Sequence, residues 1–146
     1  AGCAVVFAAG KYFGRRRIVL AGLSGLLAAS AAGLFDNAVR FSTGRPRPKA
    51  RIEDRLPDKF HGPSFKSDFQ SFPSAHTATS FGAAAGVAFV SAPLAVPAFA
   101  GAALVAFSRV YILAHYPSDV FAGALIGLWF GLAFAFAARG CLSKEA

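Results

Sequence analysis

Charged residues cut the chain into apolar blocks, and the lengths of those blocks predict its elements. Ala1 to Gly10 is uncharged but too short to cross a bilayer, and it reads as the tail of a span that begins upstream. A basic cluster follows at Lys11, Arg15, Arg16 and Arg17. Ile18 to Phe35 then runs without a charge, long enough for a transmembrane helix, and Asp36 closes it. From Asn37 to Phe72 the chain turns polar and is broken by Pro46, Pro48, Pro57 and Pro63, which predicts an extramembranous loop with one short helix around Arg51 to Lys59. No Asp, Glu, Lys or Arg occurs between Asp68 and Arg109. That stretch exceeds one helix, and Ser91-Ala92-Pro93 with Pro97 supplies a turn, so two spans are expected, about Thr77 to Val90 and about Val96 to Leu113. The first of these is short for a full crossing. Val120 to Ala138 makes a last span before Arg139 and Lys144.

Composition strengthens this picture. Of 146 residues, 55% are hydrophobic and 15% charged, against roughly 25% charged in typical soluble domains. Neither an ordinary soluble domain nor a disordered chain fits those figures. The expected fold is therefore all-α, a transmembrane helical bundle forming a single membrane-embedded domain over residues 1–146, with residues 36–72 as its extramembranous loop. No methionine occurs, so Ala1 is not an initiator, and either the start is processed or the sequence is a piece of a longer chain. Cys3 and Cys141 have neither metal-like nor redox spacing and read as unpaired thiols. Gly82 and Gly86, and Gly123, Gly127 and Gly131, stand four apart, the spacing that lets helix backbones approach closely in lipid.

The net charge of +8 changes the picture again, because a basic, apolar chain suits anions at a membrane. Counting crossings puts three polar clusters on one membrane face: Arg40 to Pro48, Pro73 to His76, and Ser108 to Asp119. In the first, Arg40, Arg45 and Arg47 concentrate guanidinium groups, which hold phosphate oxygens by paired, charge-assisted hydrogen bonds. In the second, Pro73 and Ser74 precede an apolar helix whose free N–H groups and dipole favour an anion, with His76 placed to give up a proton. In the third, His115 and Asp119 are four apart, so a helical turn sets the carboxylate against the imidazole. Arg109, near the end of a span, needs a partner, and bound phosphate is a suitable one. Taken singly, these clusters also read as a membrane-flanking basic stretch, a capped helix and a structural His–Asp pair.

Together they resemble the signature of the type-2 phosphatidic acid phosphatase family, shared with bacterial acid phosphatases, glucose-6-phosphatase and vanadium haloperoxidases. The family pattern is Lys-x6-Arg-Pro, Pro-Ser-Gly-His and Ser-Arg-x5-His-x3-Asp. This chain offers Arg40-x6-Arg47-Pro48, Pro73-Ser74-Ala75-His76 and Ser108-Arg109-x5-His115-x3-Asp119, in the same order. Arg40 replaces the usual Lys and Ala75 the usual Gly, and neither change removes a catalytic atom. Membrane members usually have six spans, so about four full spans are expected here, with the N-terminal ones missing.

The resemblance implies a mechanism. Arg40, Arg47, Arg109, Ser74 and the N–H of Ala75 bind the phosphoryl oxygens. His115 attacks phosphorus to give a phosphohistidine, Asp119 orients it, and His76 protonates the leaving oxygen and then helps activate water. No metal or other cofactor is implied. Arg45 is left as a further phosphate contact, His61 as a loop residue, and Asp36, Glu53, Asp54, Asp58 and Asp68 as solvated charges. The expected partners are a lipid phosphate substrate and the bilayer, with no nucleic acid. Phosphatidate, phosphatidylglycerol phosphate, a polyprenyl diphosphate and lipid A are the substrate choices, and the phenylalanines of the 49–72 loop are placed to line the lipid's entry. Lys11 to Arg17 share a side with Arg139 and Lys144, which orients that side to the cytoplasm and puts catalysis on the extracytoplasmic face of a bacterial inner membrane. A lipid phosphotransferase with the same intermediate, and an inactive lipid-binding fragment, are the alternatives.

Overall fold

The computed structural model describes residues 2–57 and 59–143. Ala1, Asp58 and Lys144 fall outside them, so the solvated charge expected at Asp58 and the orienting charge expected at Lys144 are not seen. Every regular element among the described residues is helical: α1 (Gly2–Tyr12), α2 (Arg16–Thr43), α3 (Pro48–Asp54), α4 (Ala75–Ala88), α5 (Ala95–Tyr111) and α6 (Pro117–Ser143). Short 3-10 turns occupy Ser67–Phe69 and Ala92–Leu94.

The apolar blocks became helices, with shifted ends. α2 does not stop at Asp36 but continues two turns to Thr43, where Gly44 closes it in the left-handed region at φ 59°. Glycine is required there twice over, since a side chain would also run into the Gly62 carbonyl. Arg40 accordingly rides on the last turn of α2 rather than in the loop. The helix passes through Asp36 because that residue is fully buried, not solvated. α3 begins at Pro48, whose fixed φ suits a first helical position, and so precedes the segment expected around Arg51 to Lys59.

Three stretches are long and apolar enough to cross a membrane: Arg16–Asp54, Ala92–Tyr111 and Pro117–Ser143. α4, at 14 residues, is about 21 Å long against a hydrocarbon core of about 30 Å. It lies at the centre of the bundle, packed against α2, α5 and α6. Bare backbones make that possible. A Cβ on Gly123 would stand 2.6 Å from the Ser74 carbonyl oxygen, and one on Gly86 would stand 2.8 Å from the Cα of Gly25. Gly127 and Gly131 press on Ala78 and Ala85 in the same way. At the far end of α4, Arg17 Nε donates to the Val90 carbonyl at 2.8 Å, so the first basic cluster lies opposite the end where the motifs meet.

Candidate active site

Backbone hydrogen bonds tie the three polar clusters together at the N-terminal end of α4. Ser71 N–H donates to the Arg45 carbonyl (3.0 Å), Ser74 N–H to the Asp119 carbonyl (3.1 Å), Lys49 N–H to the Leu113 carbonyl (3.1 Å), and His115 N–H to the Arg109 carbonyl (3.2 Å). Phe72–Pro73 is a cis peptide, and Thr43 Oγ1 donates to the Phe72 carbonyl at 2.7 Å. Segments far apart in the chain are thereby held edge to edge.

His115 sits between α5 and α6, 2% exposed. Its Nδ1 lies 2.6 Å from the Ser71 carbonyl oxygen. A carbonyl can only accept, so Nδ1 carries the proton and Nε2 keeps its lone pair. Burial pushes the imidazole down to about 4; the Ser71 carbonyl opposes that shift, and the cations of Arg47, His76 and Arg40 add to it. The ring is thus neutral and basic only at Nε2 across the neutral pH range.

Asp119 departs from the expected arrangement. Its Oδ2 stands 3.9 Å from His115 Nδ1, beyond hydrogen-bond reach. His115 precedes α6 instead of sharing a helical turn with Asp119, which occupies the third position of that helix. From there Oδ2 accepts the Tyr116 N–H (2.9 Å), as an acidic third residue does when it caps a helix start. The same oxygen accepts the Ser71 hydroxyl at 2.5 Å, while Oδ1 takes Arg45 Nη1–H at 2.6 Å. Two residues that the motif spacing did not single out for these roles, Ser71 and Arg45, therefore contact Asp119 directly. Ser71 stands three residues before Ser74, and its contribution to His115 comes from the main chain, which has no side-chain signature.

His76 is the exposed member of the cluster, in the first turn of α4, and the strongest cationic fields on it come from Arg109, Arg40 and Arg47 in that order. Ser74 precedes the helix, fully buried, without capping it through its side chain; its hydroxyl instead accepts from Thr77 Oγ1 at 3.0 Å. The first N–H groups of α4, including that of Ala75, are therefore left for another acceptor. Arg40 Nη2 is anchored on Asn37 Oδ1 at 2.5 Å, and Arg109 Nε on Ser108 Oγ at 3.1 Å. The Nε atoms of Arg40 and Arg47 are buried without a hydrogen-bond partner among the described residues. Unengaged guanidinium donors beside a neutral imidazole and a bare helix start form a cradle for a tetrahedral oxyanion. His61 packs edge-on against Phe69 in the loop, away from these contacts.

Comparisons with known proteins show the family. The profile of the PAP2 superfamily matches residues 19–140. A protein of Rhizobium johnstonii (strain DSM 114642 / LMG 32736 / 3841) named lipid A 1-phosphatase is 38% identical over 117 residues, covering 79% of this chain and 48% of the relative. A protein of the same name from Rhizobium etli (strain ATCC 51251 / DSM 11541 / JCM 21823 / NBRC 15573 / CFN 42) is 37% identical over 117 residues, with 79% and 50% covered. Lipid phosphate phosphatase 1 of Arabidopsis thaliana is 34% identical over 132 residues, with 70% and 39% covered. This chain spans half or less of the length of these curated relatives. No solved structure matches it significantly. With a family profile covering most of the chain and the motifs meeting at one end of the bundle, the chain belongs to the PAP2 superfamily.

Proposed function

We propose that this chain carries the catalytic part of an integral-membrane lipid phosphate phosphatase that works through a phosphohistidine. His115 Nε2 attacks phosphorus in line, forming the P–N bond as the P–O bond to the lipid breaks, and His76 delivers the proton to the departing oxygen. Water then attacks the phosphohistidine, His76 takes its proton, and inorganic phosphate leaves with the P–N bond broken. Arg40, Arg47, Arg109, Ser74 and the Ala75 N–H hold the equatorial oxygens, whose charge grows in the transition state. Asp119 acts on the nucleophile's surroundings. The observation that carries the reading is the 2.6 Å contact between His115 Nδ1 and the Ser71 carbonyl, which fixes the tautomer with a basic Nε2.

The names of the relatives rank substrates: a lipid phosphomonoester first, with lipid A heading the panel because the two Rhizobium proteins are named for it. We place catalysis on the extracytoplasmic face of a bacterial inner membrane, since the basic cluster of α1 and α2 lies at the opposite end of the bundle. The test is phosphate release from lipid A, phosphatidate, phosphatidylglycerol phosphate and a polyprenyl diphosphate in detergent, without added metal. Release that His115→Ala abolishes is expected. A parent that binds these lipids without releasing phosphate would favour a lipid-binding role, and transfer to an added lipid acceptor would favour a phosphotransferase.

A further inference from the structure

We propose that Arg45 is a positioning residue, acting on His115 through Asp119 and Ser71 rather than by touching the phosphoryl group. The inference rests on the reading of His115 as nucleophile. Both hydrogens of Arg45 Nη1 are engaged, one by Asp119 Oδ1 at 2.6 Å and one by Ser118 Oγ at 2.9 Å. The guanidinium carbon lies 4.1 Å from the centre of the Tyr116 ring and 5.7 Å from that of Phe60, so its planar faces meet aromatic rings. The Arg45 side chain is 15% exposed and that of Asp119 is 0%.

Arg45 grips Ser71 from two sides. Its carbonyl accepts the Ser71 N–H at 3.0 Å, and its guanidinium holds Asp119, whose other carboxylate oxygen accepts the Ser71 hydroxyl at 2.5 Å. The ring of contacts closes on one residue and fixes where the Ser71 carbonyl points. That carbonyl is the group that orients His115. A second consequence is electrostatic. Arg45 neutralises the buried carboxylate nearest the imidazole, so Asp119 does not draw a proton onto Nε2. The other charges facing His115 are Arg40 from α2, Arg47 from the loop and His76 from α4, and all three oppose protonation.

The two roles separate kinetically. An interaction that binds substrate alters KM, whereas one that aligns the nucleophile alters kcat. The experiment measures phosphate release from phosphatidate in mixed micelles by the full-length protein, with inhibition by inorganic phosphate as a second readout. Arg45→Gln is expected to lower kcat about 10- to 100-fold, by analogy with the loss when the outer partners of metal-ligating side chains are removed. KM and the phosphate inhibition constant should stay within about twofold, and the acid limb of the kcat/KM profile should move to higher pH. Arg45→Lys, which keeps the charge, should recover part of the loss, and Arg47→Gln should raise KM and weaken phosphate inhibition. If Arg45→Gln does not fold, Ser71→Ala, which deletes the hydroxyl and keeps the carbonyl, should show the same acid-limb shift with a smaller loss of kcat. A rise in KM with kcat preserved, or an unmoved pH profile in whichever variant folds, overturns the proposal. A parent that releases no phosphate, or a His115→Ala variant that still does, overturns the reading beneath it.

Discussion

The neutral imidazole of His115 ties the pH behaviour of the protein to one buried ring. Its folded-state value of about 4 lies below the ordinary imidazole value, chiefly through burial. If Nε2 is the nucleophile, the acid limb of kcat/KM belongs to protonation of this ring and should fall well below about pH 6.5. A limb at the ordinary imidazole position would contradict that assignment. The stability sign follows from the same shift. Between roughly pH 6.5 and 4 the unfolded chain binds a proton that the folded chain excludes, so stability falls as pH drops through that window and levels off below it. At this scale the sequence named the groups proposed to react but not their partners. The spacing within the motifs identifies His76, His115 and Asp119, because each motif is a local string. The contacts of Asp119 with Arg45 and Ser71 cross 74 and 48 residues of chain, and the hydrogen bond to His115 comes from a main-chain carbonyl. No spacing rule reports such a bond.

At the scale of elements, glycine decides how closely α4 meets its neighbours. A side chain at Gly127 would strike the Ala78 carbonyl and lie 2.7 Å from the Gly82 nitrogen, both backbone atoms of α4 that cannot swing aside. Gly127→Leu is therefore expected to force α4 and α6 apart, at a cost of at least about 1–3 kcal/mol, read as a lower unfolding temperature in detergent. Gly101→Ala supplies the contrast. Nothing lies within 4 Å of a Cβ there, and removing a helical glycine should be neutral or stabilising by up to about 1 kcal/mol. Equal losses at both positions would contradict the assignment of the Gly127 effect to close approach, since helix propensity favours both replacements. The helices themselves were legible as uncharged blocks, and the tandem glycine spacing marked the α4–α6 contact. The end of α2 was not. A charge marks the end of a span only where it reaches water, and Asp36 is buried against the bundle, so the helix runs on and carries Arg40 with it.

Across the whole molecule, antiparallel packing explains how residues from Arg40 to Asp119 form one site. α2 and α5 deliver their C-terminal ends, and α4 and α6 their N-terminal ends, to the same end of the bundle. The loop between α2 and α4 supplies Arg45, Arg47 and Ser71 across it. Counting crossings anticipated this convergence, since parity depends only on the number of spans and not on their exact limits. The proposed chemistry of the shared end rests on the combination of Arg40, Arg47 and Arg109 with one neutral, buried imidazole. The central claim is that this imidazole becomes covalently phosphorylated. The most direct test is to mix the protein with a lipid phosphomonoester labelled in its phosphate, quench within one turnover in alkali, and locate the label by mass spectrometry. A base-stable, acid-labile phosphoryl group on His115 that is missing from His115→Ala is the expected result. Label on another residue, or phosphate release at an unchanged rate with no covalent species formed, would contradict the account.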